Sequence, residues 1–343
     1  YVYWTGTYQS QIQKDRGVPV SEVFISDVLK DAGYRTGFIG KWHLGVNERF
    51  RPHNRGFDEW FGFLPGLHDY FDWRAPENGG IWRNNEPAEG DTYLTDAFTG
   101  EAVDFITRNQ DEPFFLYLAY NAVHSPIQVP EHYLQGIESP DPERRKMLGM
   151  VRAVDTGVGR ILATLDDLKI ADNTLVLFAN DNGGATLSSN MPFQGSKATM
   201  WEGGSRVAMA LRWPDQLESG STFKRVVSTL DLFPTFAAAA GASLPAQRKI
   251  DGVDLMPFLT SDKKGQLHPA LFWSLGEHGS SRAVREGPWK LVKQDYTLSL
   301  HNLIEDPSEQ TDLKAQHPEI FTKLQRDWEA WNSEMVPPLW TTR

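Results

Sequence analysis

Leu175-Val-Leu-Phe-Ala-Asn-Asp-Asn-Gly-Gly184 is the segment that most clearly indicates how this chain folds. Five apolar residues in a row, too few for a helix and followed by turn residues, predict a buried strand. In open α/β sheets, ligands bind just beyond the carboxyl ends of the strands. Asp181 and Asn182 occupy that position and are therefore candidate oxygen ligands for a cation such as Ca²⁺. The same Asn-Asp-Asn-Gly sequence is also ordinary turn chemistry, so both interpretations stand at this point.

The composition excludes several classes of protein. With 343 residues, of which 40% are hydrophobic and 23% charged, the chain is long enough for a large core. A net charge of −11 gives no electrostatic reason to expect nucleic acid or an anionic membrane as a partner. No apolar run reaches transmembrane length. Because cysteine is absent, disulfides, thiolate metal sites and a cysteine nucleophile are excluded.

Strands and helices alternate through the first two thirds of the chain. Apolar spacing predicts helices at 21–32, with Ser21 as N-cap and Gly33 as C-cap, and at 92–109, 142–168 and 229–240. Strands are predicted at 34–40, 113–120, 175–179 and 207–213. This alternation predicts a largely parallel sheet flanked by helices. The segment 47–85, rich in Gly, Pro and aromatic residues, is predicted to be a long loop, either a packed lid or a platform for sugars.

The pattern changes from about His268 onwards. Short strands are predicted at 270–274, 281–285, 289–293 and 297–302, followed by a helix at 318–333. We therefore expect a catalytic domain over residues 1–265 and a small antiparallel α+β subdomain over residues 266–343.

Polar and basic side chains follow three of the predicted strands. They are Lys41 and His43, then His124, then Asp181 with Asn182. A further cation, Lys197, lies in the Gly-rich segment 194–204. In a parallel sheet all of these would meet at one edge. An oxygen-bound cation flanked by two lysines and two histidines suits a tetrahedral oxyanion, and a histidine can protonate its leaving oxygen.

Each of these residues alone also has a purely structural interpretation. Lys41 could be a surface lysine whose stem lies on apolar residues, and Lys197 a solvated loop charge. His43 could be a core histidine bonded to the backbone, and His124 could simply follow a strand. Their coincidence at the strand ends favours the functional interpretation.

The motifs around these residues resemble a known family. Gly40-Lys-Trp-His-Leu-Gly45, preceded by Asp31-Ala-Gly-Tyr-Arg-Thr-Gly37, closely resembles the second signature of the type I (formylglycine-dependent) sulfatases. Further pieces of the family pattern occur in order at 55–58, 115–118 with 124–126, 181–183 and 195–204. The segment 300–309 resembles the C-terminal subdomain of that family, so the likeness covers nearly the whole chain.

The resemblance implies a fold and a set of roles. The fold would be the alkaline-phosphatase-like three-layer α/β/α sandwich with a mixed, mostly parallel sheet. Lys41 would contact the sulfate and the nucleophile, and His43 would hydrogen-bond the formylglycine hydrate. His124 would act as the acid near the leaving oxygen, and Lys197 would bind sulfate oxygens.

The resemblance also implies a calcium ion and a nucleophile, and here the sequence departs from the family. Asp181 and Asn182 would be two of the Ca²⁺ ligands, although this ion takes 6–8 oxygens. The Cys/Ser-x-Pro-x-Arg motif that yields the formylglycine does not occur. Because the segment from Thr5 to Tyr8 resembles the residues that follow this motif, we expect the nucleophile, and a central strand carrying further ligands, upstream of Tyr1. The chain alone is then expected to show no significant sulfatase activity.

Three functions are compatible with this sequence. The first is hydrolysis of a sulfate ester, with a sulfated carbohydrate as the substrate. The second is a phosphodiesterase or phosphonate hydrolase of the same superfamily, and the third is an inactive relative that only binds sulfated glycan. Candidate sugar contacts in the segment 47–85 are His68, Trp73 and Arg74. The absence of cysteine and of Asn-x-Ser/Thr sites favours a bacterial periplasmic or secreted protein.

Overall fold

The computed structural model describes residues 15–75, 79–261, 263–276 and 279–336, so the prediction for Thr5 to Tyr8 lies outside the described residues. The helices are α1 (Ile25–Asp31), α2 (Leu94–Arg108), α3 (Pro142–Asp167), α4 (Glu202–Ser205), α5 (Leu232–Ala239), α6 (Met256–Leu259) and α7 (Pro318–Ser333). The strands are β1 (Arg35–Lys41), β2 (Glu59–Phe63), β3 (Trp82–Arg83), β4 (Glu86–Pro87), β5 (Phe114–Ala119), β6 (Val176–Ala179), β7 (Met209–Arg212), β8 (Leu271–Leu275), β9 (Ser281–Glu286), β10 (Trp289–Gln294) and β11 (Thr297–Asn302).

The central sheet is built around β1. Its five strands run in the order β4-β3-β2-β1-β5, and β1 is parallel to both β2 and β5. Ile39 in β1 lies opposite Phe61 on one side and Leu118 on the other. The short strands β3 and β4 extend one edge in the antiparallel sense. The carboxyl ends of β1 and β5 therefore lie side by side, as the strand-end argument requires.

Helices cover both faces of this sheet. On one face Ile39 packs in a large core with α2 and α3, including Phe98, Phe105 and Met150. On the other face Phe38 packs against Trp42 and Phe57, and α1 and α5 lie over this second core. The predicted three-layer α/β/α arrangement is confirmed, because apolar residues alternate between the two faces of β1.

The prediction that residues 47–85 form a long loop is wrong. Strand β2 lies within this segment, and Trp60, Phe61 and Phe63 on it are buried. A strand in the middle of a sheet is covered on both faces, so it reads as a continuous apolar run and not as an alternating one. The density of aromatic residues therefore reflects core packing.

The strand predicted at 175–179 forms, as β6, but its surroundings differ from those predicted. β6 pairs antiparallel with β7, with Ala179 opposite Met209. Among the described residues, β6 pairs with no strand other than β7, and β5 pairs with no strand other than β1. Apolar side chains on both strands are consequently open to solvent, with Tyr117 49% and Phe178 41% exposed. The prediction of a fully buried strand in a parallel sheet is wrong at this position.

The remaining helix boundaries follow from local chemistry. Helix α1 begins at Ile25 and not near Ser21, because the backbone N–H of Phe24 donates to Asp27 Oδ2 at 2.8 Å and so closes the first turn. It ends before Gly33, as predicted, where φ is +88°. Among the described residues, no helix combines the length and apolar character needed to cross a membrane.

The C-terminal region forms a second sheet. Its four antiparallel strands run in the order β11-β10-β9-β8. Helix α7 covers it, and Leu324 and Trp328 pack against Val284, Leu291 and Leu300. The predicted antiparallel α+β unit is confirmed, while the domain boundary at residue 265 stays a prediction.

Candidate active site

The carboxyl end of β1 presents two of the predicted residues. Lys41 is the last residue of the strand, and His43 follows it with a φ of 55°. Between them the buried indole of Trp42 donates to the carbonyl of Phe50 at 2.8 Å and fixes this turn to the core. The backbone N–H of His43 donates to the carbonyl of Leu64 at 3.0 Å. Both candidate side chains are thus held on a rigid strand end.

The ring of His43 lies against a residue that sequence reasoning missed. A Cβ atom on Gly66 would lie 2.7 Å from the Nε2 atom of His43. Contacts this short do not occur, so a side chain at position 66 would displace the imidazole. A lone glycine in an aromatic-rich segment gives no signal of this role in the sequence.

His124 follows β5 and has a defined tautomer. Its Nδ1 atom lies 2.9 Å from the carbonyl oxygen of Ser125, which can only accept, so Nδ1 carries a proton. In the neutral ring Nε2 is then the basic nitrogen. The hydroxyl of Tyr70 donates to the carbonyl of His124 at 2.9 Å and ties this turn to the segment after β2. His124 is therefore oriented for proton transfer through Nε2.

A second residue missed by sequence reasoning precedes His124. Asn121 is 4% exposed, and neither of its side-chain amide atoms has a hydrogen-bond partner among the described residues. Leaving such a group unpaired costs about 1–3 kcal/mol, so a partner outside these residues is expected. Asn121 is a candidate for contact with a ligand or with a further part of the protein.

Close backbone packing brings Asp181 and Lys197 together. The N–H of Lys197 donates to the carbonyl of Gly184 at 3.1 Å, and that of Gly183 donates to Gly204 at 3.0 Å. A Cβ atom on Gly183 would lie only 1.8 Å from the carbonyl oxygen of Gly203. Glycine is required here because the two loops touch through their backbones.

The five charged or titratable side chains act on one another. Burial lowers the pKa of His43 to about 4, and the positive charges of Lys41, His124 and Lys197 add to the effect. Burial likewise lowers the pKa of His124, with Lys41 and Lys197 contributing. Burial also lowers the pKa of Lys41, while Asp181 opposes this shift. We call the group of Lys41, His43, His124, Asp181 and Lys197 the cup.

The cup has the electrostatics of an anion site. Two lysines supply positive charge, and two histidines that are neutral at neutral pH supply groups that can exchange protons. Of the predicted catalytic residues, the structure brings all four together: Lys41, His43, His124 and Lys197. The negative charge of an oxyanion bound here would be balanced by the ammonium groups of Lys41 and Lys197.

The predicted metal ligands, Asp181 and Asn182, could supply only a few of the oxygens that a calcium ion takes. The Nδ2 atom of Asn182 donates to the carbonyl of Gly183 at 2.9 Å, which leaves its side-chain oxygen for a cation beside the Asp181 carboxylate. These hard oxygens suit Ca²⁺, but the ion takes 6–8 of them. Among the described residues, no group of three or more His, Asp or Glu side chains could hold a metal. Further ligands would have to come from elsewhere.

The predicted sugar contacts are placed differently from expectation. His68 is fully buried beside Phe63, and Trp73 is 8% exposed with its indole donating to Thr92 at 2.7 Å. Neither ring can therefore offer a face to a sugar, and both belong to the core. Arg74 is exposed and pairs loosely with Glu89 at 3.3 Å, so it alone of the three remains accessible.

Two open clefts lie along the loops that lead to the cup. One, of about 620 Å³, is lined by Asp69, Phe71, Asp72, Arg74, Gly90, Asp91 and Gln128. Tyr70, which lies between two of these lining residues in the sequence, donates to the His124 carbonyl. The other, of about 460 Å³, is lined by residues of the segment 185–196, which precedes Lys197.

Known protein families match both parts of the chain. The model of the family described as sulfatase matches residues 2–242, and that described as N-sulphoglucosamine sulphohydrolase, C-terminal, matches residues 195–333. Among relatives, N-acetylgalactosamine-6-sulfatase of Homo sapiens is 38% identical over 308 residues, which is 81% of this chain and 57% of that protein. The uncharacterized sulfatase YdeN of Escherichia coli (strain K12) is 32% identical over 299 residues, 78% of this chain and 52% of that protein. The chain thus spans about half the length of these relatives.

Solved structures agree with the sequence comparison. The crystal structure of Ps i-CgsB in complex with k-i-k-neocarrahexaose has a TM-score of 0.89 and 33% identity, covering 99% of this chain and 80% of that one. The structure of the phosphonate monoester hydrolase SpPMH from Silicibacter pomeroyi has a TM-score of 0.67 and 16% identity, covering 95% of this chain and 82% of that one. At this low identity the likeness shows the fold alone. The predicted alkaline-phosphatase-like fold is confirmed, and with a family match over more than half of its length the chain belongs to the sulfatase family.

Proposed function

We propose that this chain is the main part of a sulfuric ester hydrolase of the arylsulfatase type, which removes sulfate from a sulfated carbohydrate. One observation carries the proposal: Lys41, His43, His124 and Lys197, from three distant segments, act electrostatically on one another in a single cup. Hydrogen bonds to charged groups each contribute about 1.5–3 kcal/mol, so two lysines can hold a sulfate group firmly.

The side chains have distinct tasks in this proposal. Lys41 and Lys197 bind the sulfate oxygens and balance negative charge that develops on them. His124 first takes up a proton at Nε2 and then gives it to the leaving sugar oxygen, and the bond from Nδ1 to Ser125 holds the ring in place for this step. Because burial and nearby cations lower the pKa of His124, its protonated form is a stronger acid than a free imidazolium. His43, neutral at neutral pH, is suited to hydrogen-bond the nucleophile.

The nucleophile and the metal ion are proposed from the family likeness. We infer that a formylglycine, which would lie upstream of Tyr1, and a Ca²⁺ held partly by Asp181 and Asn182 complete the site. When bound, the ion would supply positive charge next to the reacting group. Residues 1–343 contain no Cys/Ser-x-Pro-x-Arg motif, and Asp181 and Asn182 can supply only a few of the 6–8 oxygens that Ca²⁺ takes. Residues 1–343 alone are then expected to bind sulfate but not to hydrolyse a sulfate ester.

A sulfated carbohydrate is the substrate class that the observations favour. One relative is named N-acetylgalactosamine-6-sulfatase, and one similar structure holds a neocarrahexaose. The cleft lined by Asp69 and Gln128 has an exposed aromatic ring, Phe71, and an exposed cation, Arg74, which suit a sugar face and an anionic substituent. We further propose a bacterial periplasmic or secreted location, which cell fractionation would test.

A phosphodiesterase or phosphonate hydrolase is the second candidate. A phosphoryl group has the same tetrahedral shape and negative charge, so the cup would also accept it. The likeness to a phosphonate monoester hydrolase concerns the fold alone. The third candidate, an inactive glycan-binding relative, has the same cup and would differ only in lacking the nucleophile.

Two measurements separate these candidates. Mass spectrometry of the protein purified from its natural source should find a formylglycine peptide upstream of Tyr1, and its absence would favour the inactive binder. With that natural protein, rates on a sulfated oligosaccharide, an aryl sulfate and an aryl phosphonate should be highest for the oligosaccharide. A preference for the phosphonate would overturn the proposal.

A further inference from the structure

The loop that carries Lys197 is attached to the C-terminal sheet by a buried group of charges. Glu202, five residues after Lys197, is 2% exposed and begins helix α4. Its Oε1 atom lies 2.9 Å from the Nζ atom of Lys290 on β10, a side chain that is completely buried. The same ammonium lies 2.9 Å from Oε1 of Glu309. Lys290 thus joins two buried carboxylates that are far apart in the sequence.

The carboxylate of Glu309 also accepts a hydrogen bond from the backbone of the loop. The N–H of Glu202 donates to Oε2 of Glu309 at 2.6 Å. Arg285 on β9 adds a more distant cation, with a guanidinium nitrogen 3.4 Å from Oε2 of Glu202. Arg206, which is half-exposed, adds a third cation 3.7 Å from the same oxygen, so both buried carboxylates face positive charge. Because an unpaired buried charge costs several kcal/mol, the loop and the sheet must remain together to keep every member paired.

Two further contacts act at the preceding residues. The N–H of Met200 donates to the side-chain oxygen of Gln294, at the end of β10, with a distance of 2.9 Å. The ring of Trp201 meets that of His301 edge-on at 5.6 Å. Three successive loop residues are therefore fixed by the C-terminal sheet.

Backbone hydrogen bonds connect the attached residues to the cup. The N–H of Gly203 donates to Gln194 at 2.7 Å, which closes the loop on itself around Lys197. The carbonyl of Gly204 accepts from Gly183, two residues after Asp181. Movement at Glu202 would therefore move both Lys197 and the segment that bears Asp181.

We propose that Lys290 is a positioning residue: paired with Glu202 and Glu309, it holds the loop of the catalytic region so that Lys197 points into the cup. We call these three residues the clamp. Lys290 is completely buried and cannot itself contact a substrate. The C-terminal sheet then contributes to the anion site by holding Lys197 in position. The inference rests on the proposed function only in taking sulfate as the anion.

The test replaces the buried charges and measures the loop and the cup separately. The variant Lys290→Met/Glu309→Gln removes one charge of each sign and leaves Glu202 paired with Arg285 and Arg206, so no buried carboxylate is left unpaired. The matched control is Lys293→Met, a partly exposed lysine on the same strand. Amide hydrogen exchange measures how often the loop opens. Calorimetric titration with inorganic sulfate measures the affinity of the cup for the anion.

The clamp predicts a selective effect. In the double variant, exchange at the amides of Lys197 and Gly203 should quicken by about tenfold or more, while that of Phe38 in β1 stays unchanged. Sulfate affinity should fall by about tenfold, as if one cation were misplaced. Lys293→Met should leave both measurements unchanged. Unchanged loop exchange and affinity in the folded double variant would overturn the proposal, as would equal acceleration at Phe38.

A second variant covers the case in which the double variant does not fold. Gln294→Ala removes the acceptor of the Met200 N–H and leaves the buried charges in place. It should raise exchange at Met200 and weaken sulfate binding without changing exchange at Phe38, and no change in either loop exchange or affinity would contradict the proposal. If the unmodified chain binds no sulfate, the proposed function fails, while the exchange measurements still decide whether the clamp holds the loop.

Discussion

Lys41 and Lys197 carry the positive charge of the cup, yet they reach it in different ways. Lys41 ends a central strand and is partly buried, and its pKa falls below the usual value because burial disfavours its charge. Lys197 sits on a loop whose shape depends on backbone contacts with Gly184. A lysine held near other cations is stabilised when an anion binds beside it. Both lysines should therefore contribute to the affinity for sulfate.

The first prediction concerns these two lysines. Lys41→Met or Lys197→Met should each weaken inorganic sulfate binding by about 10–100-fold, the value of one charged hydrogen bond of about 1.5–3 kcal/mol. Titration calorimetry at pH 7 measures this. The exposed Lys224, replaced in the same way, is the control and should bind as the unmodified chain does. Equal affinity in all three variants would contradict the assignment of the cup.

The second prediction concerns His43 and pH. Its pKa is about 4 in the folded chain, against 6.5 when unperturbed. Between these values the unfolded chain takes up a proton that the folded chain does not, so stability falls as the pH is lowered from about 6.5 to about 4. By pH 5 the loss at this site should reach about 1–2 kcal/mol relative to pH 7.5.

Urea unfolding of the chain and of His43→Asn at these two pH values tests this. The variant lacks the titrating group, so its free energy of unfolding should fall less on acidification, while changes at other groups cancel in the comparison. Parallel pH dependence of the two proteins would mean that His43 titrates normally and is not buried among cations.

At the scale of elements, the two loops of the cup depend on a glycine contact. Gly183 touches the Gly203 carbonyl so closely that no side chain fits. Gly183→Ala should therefore separate the loops, weaken sulfate binding by about tenfold or more and destabilise the fold by about 1–3 kcal/mol. Calorimetry and urea unfolding measure the two effects.

A helical glycine provides the matched control. Gly100 in α2 has open space where its Cβ would lie. Gly100→Ala should stabilise the chain by about 0.5–1 kcal/mol and leave sulfate binding unchanged, because alanine favours the helix. If both substitutions had the same effect, the close contact between the loops would not exist in solution.

The elements themselves were predictable where local patterns were unambiguous. Helix α7 begins at Pro318 and ends at Ser333, as its apolar spacing predicted, and strand β11 has the predicted bounds. Strand β2 was missed because burial on both faces removes the alternation by which a strand is recognised. The direction of β6 could not be predicted, since neighbours in a sheet are chosen by contacts far apart in the chain.

The site was predictable to a similar degree. Lys41, His43, His124 and Asp181 could be proposed from the sequence because polar residues directly after apolar strands are a local signal. Gly66, Asn121 and Lys290 could not, because their burial and their contacts with distant residues, which make them candidates, leave no mark in the local sequence. Trp73 was misplaced in a sugar site because an aromatic side chain looks the same in sequence whether it is buried or exposed.

At the scale of the whole molecule, binding and turnover are separable. The described residues contain the cup and two candidate metal ligands, while the sequence contains no formylglycine motif. The pure chain should therefore bind sulfate yet release no detectable product from an aryl sulfate in the presence of Ca²⁺. A continuous absorbance assay would show this, with an active sulfatase as positive control. Hydrolysis of the aryl sulfate by the pure chain would refute the proposal that the nucleophile lies outside residues 1–343.

The most direct measurement is an NMR titration of both imidazoles in the chain labelled with ¹⁵N at histidine. As inorganic sulfate is added, the ring signals of His43 and His124 should shift together along one binding curve, and Lys41→Met or Lys197→Met should weaken that curve for both rings. Independent curves for the two histidines, or a response of only one of them, would show that these residues do not share a single anion site.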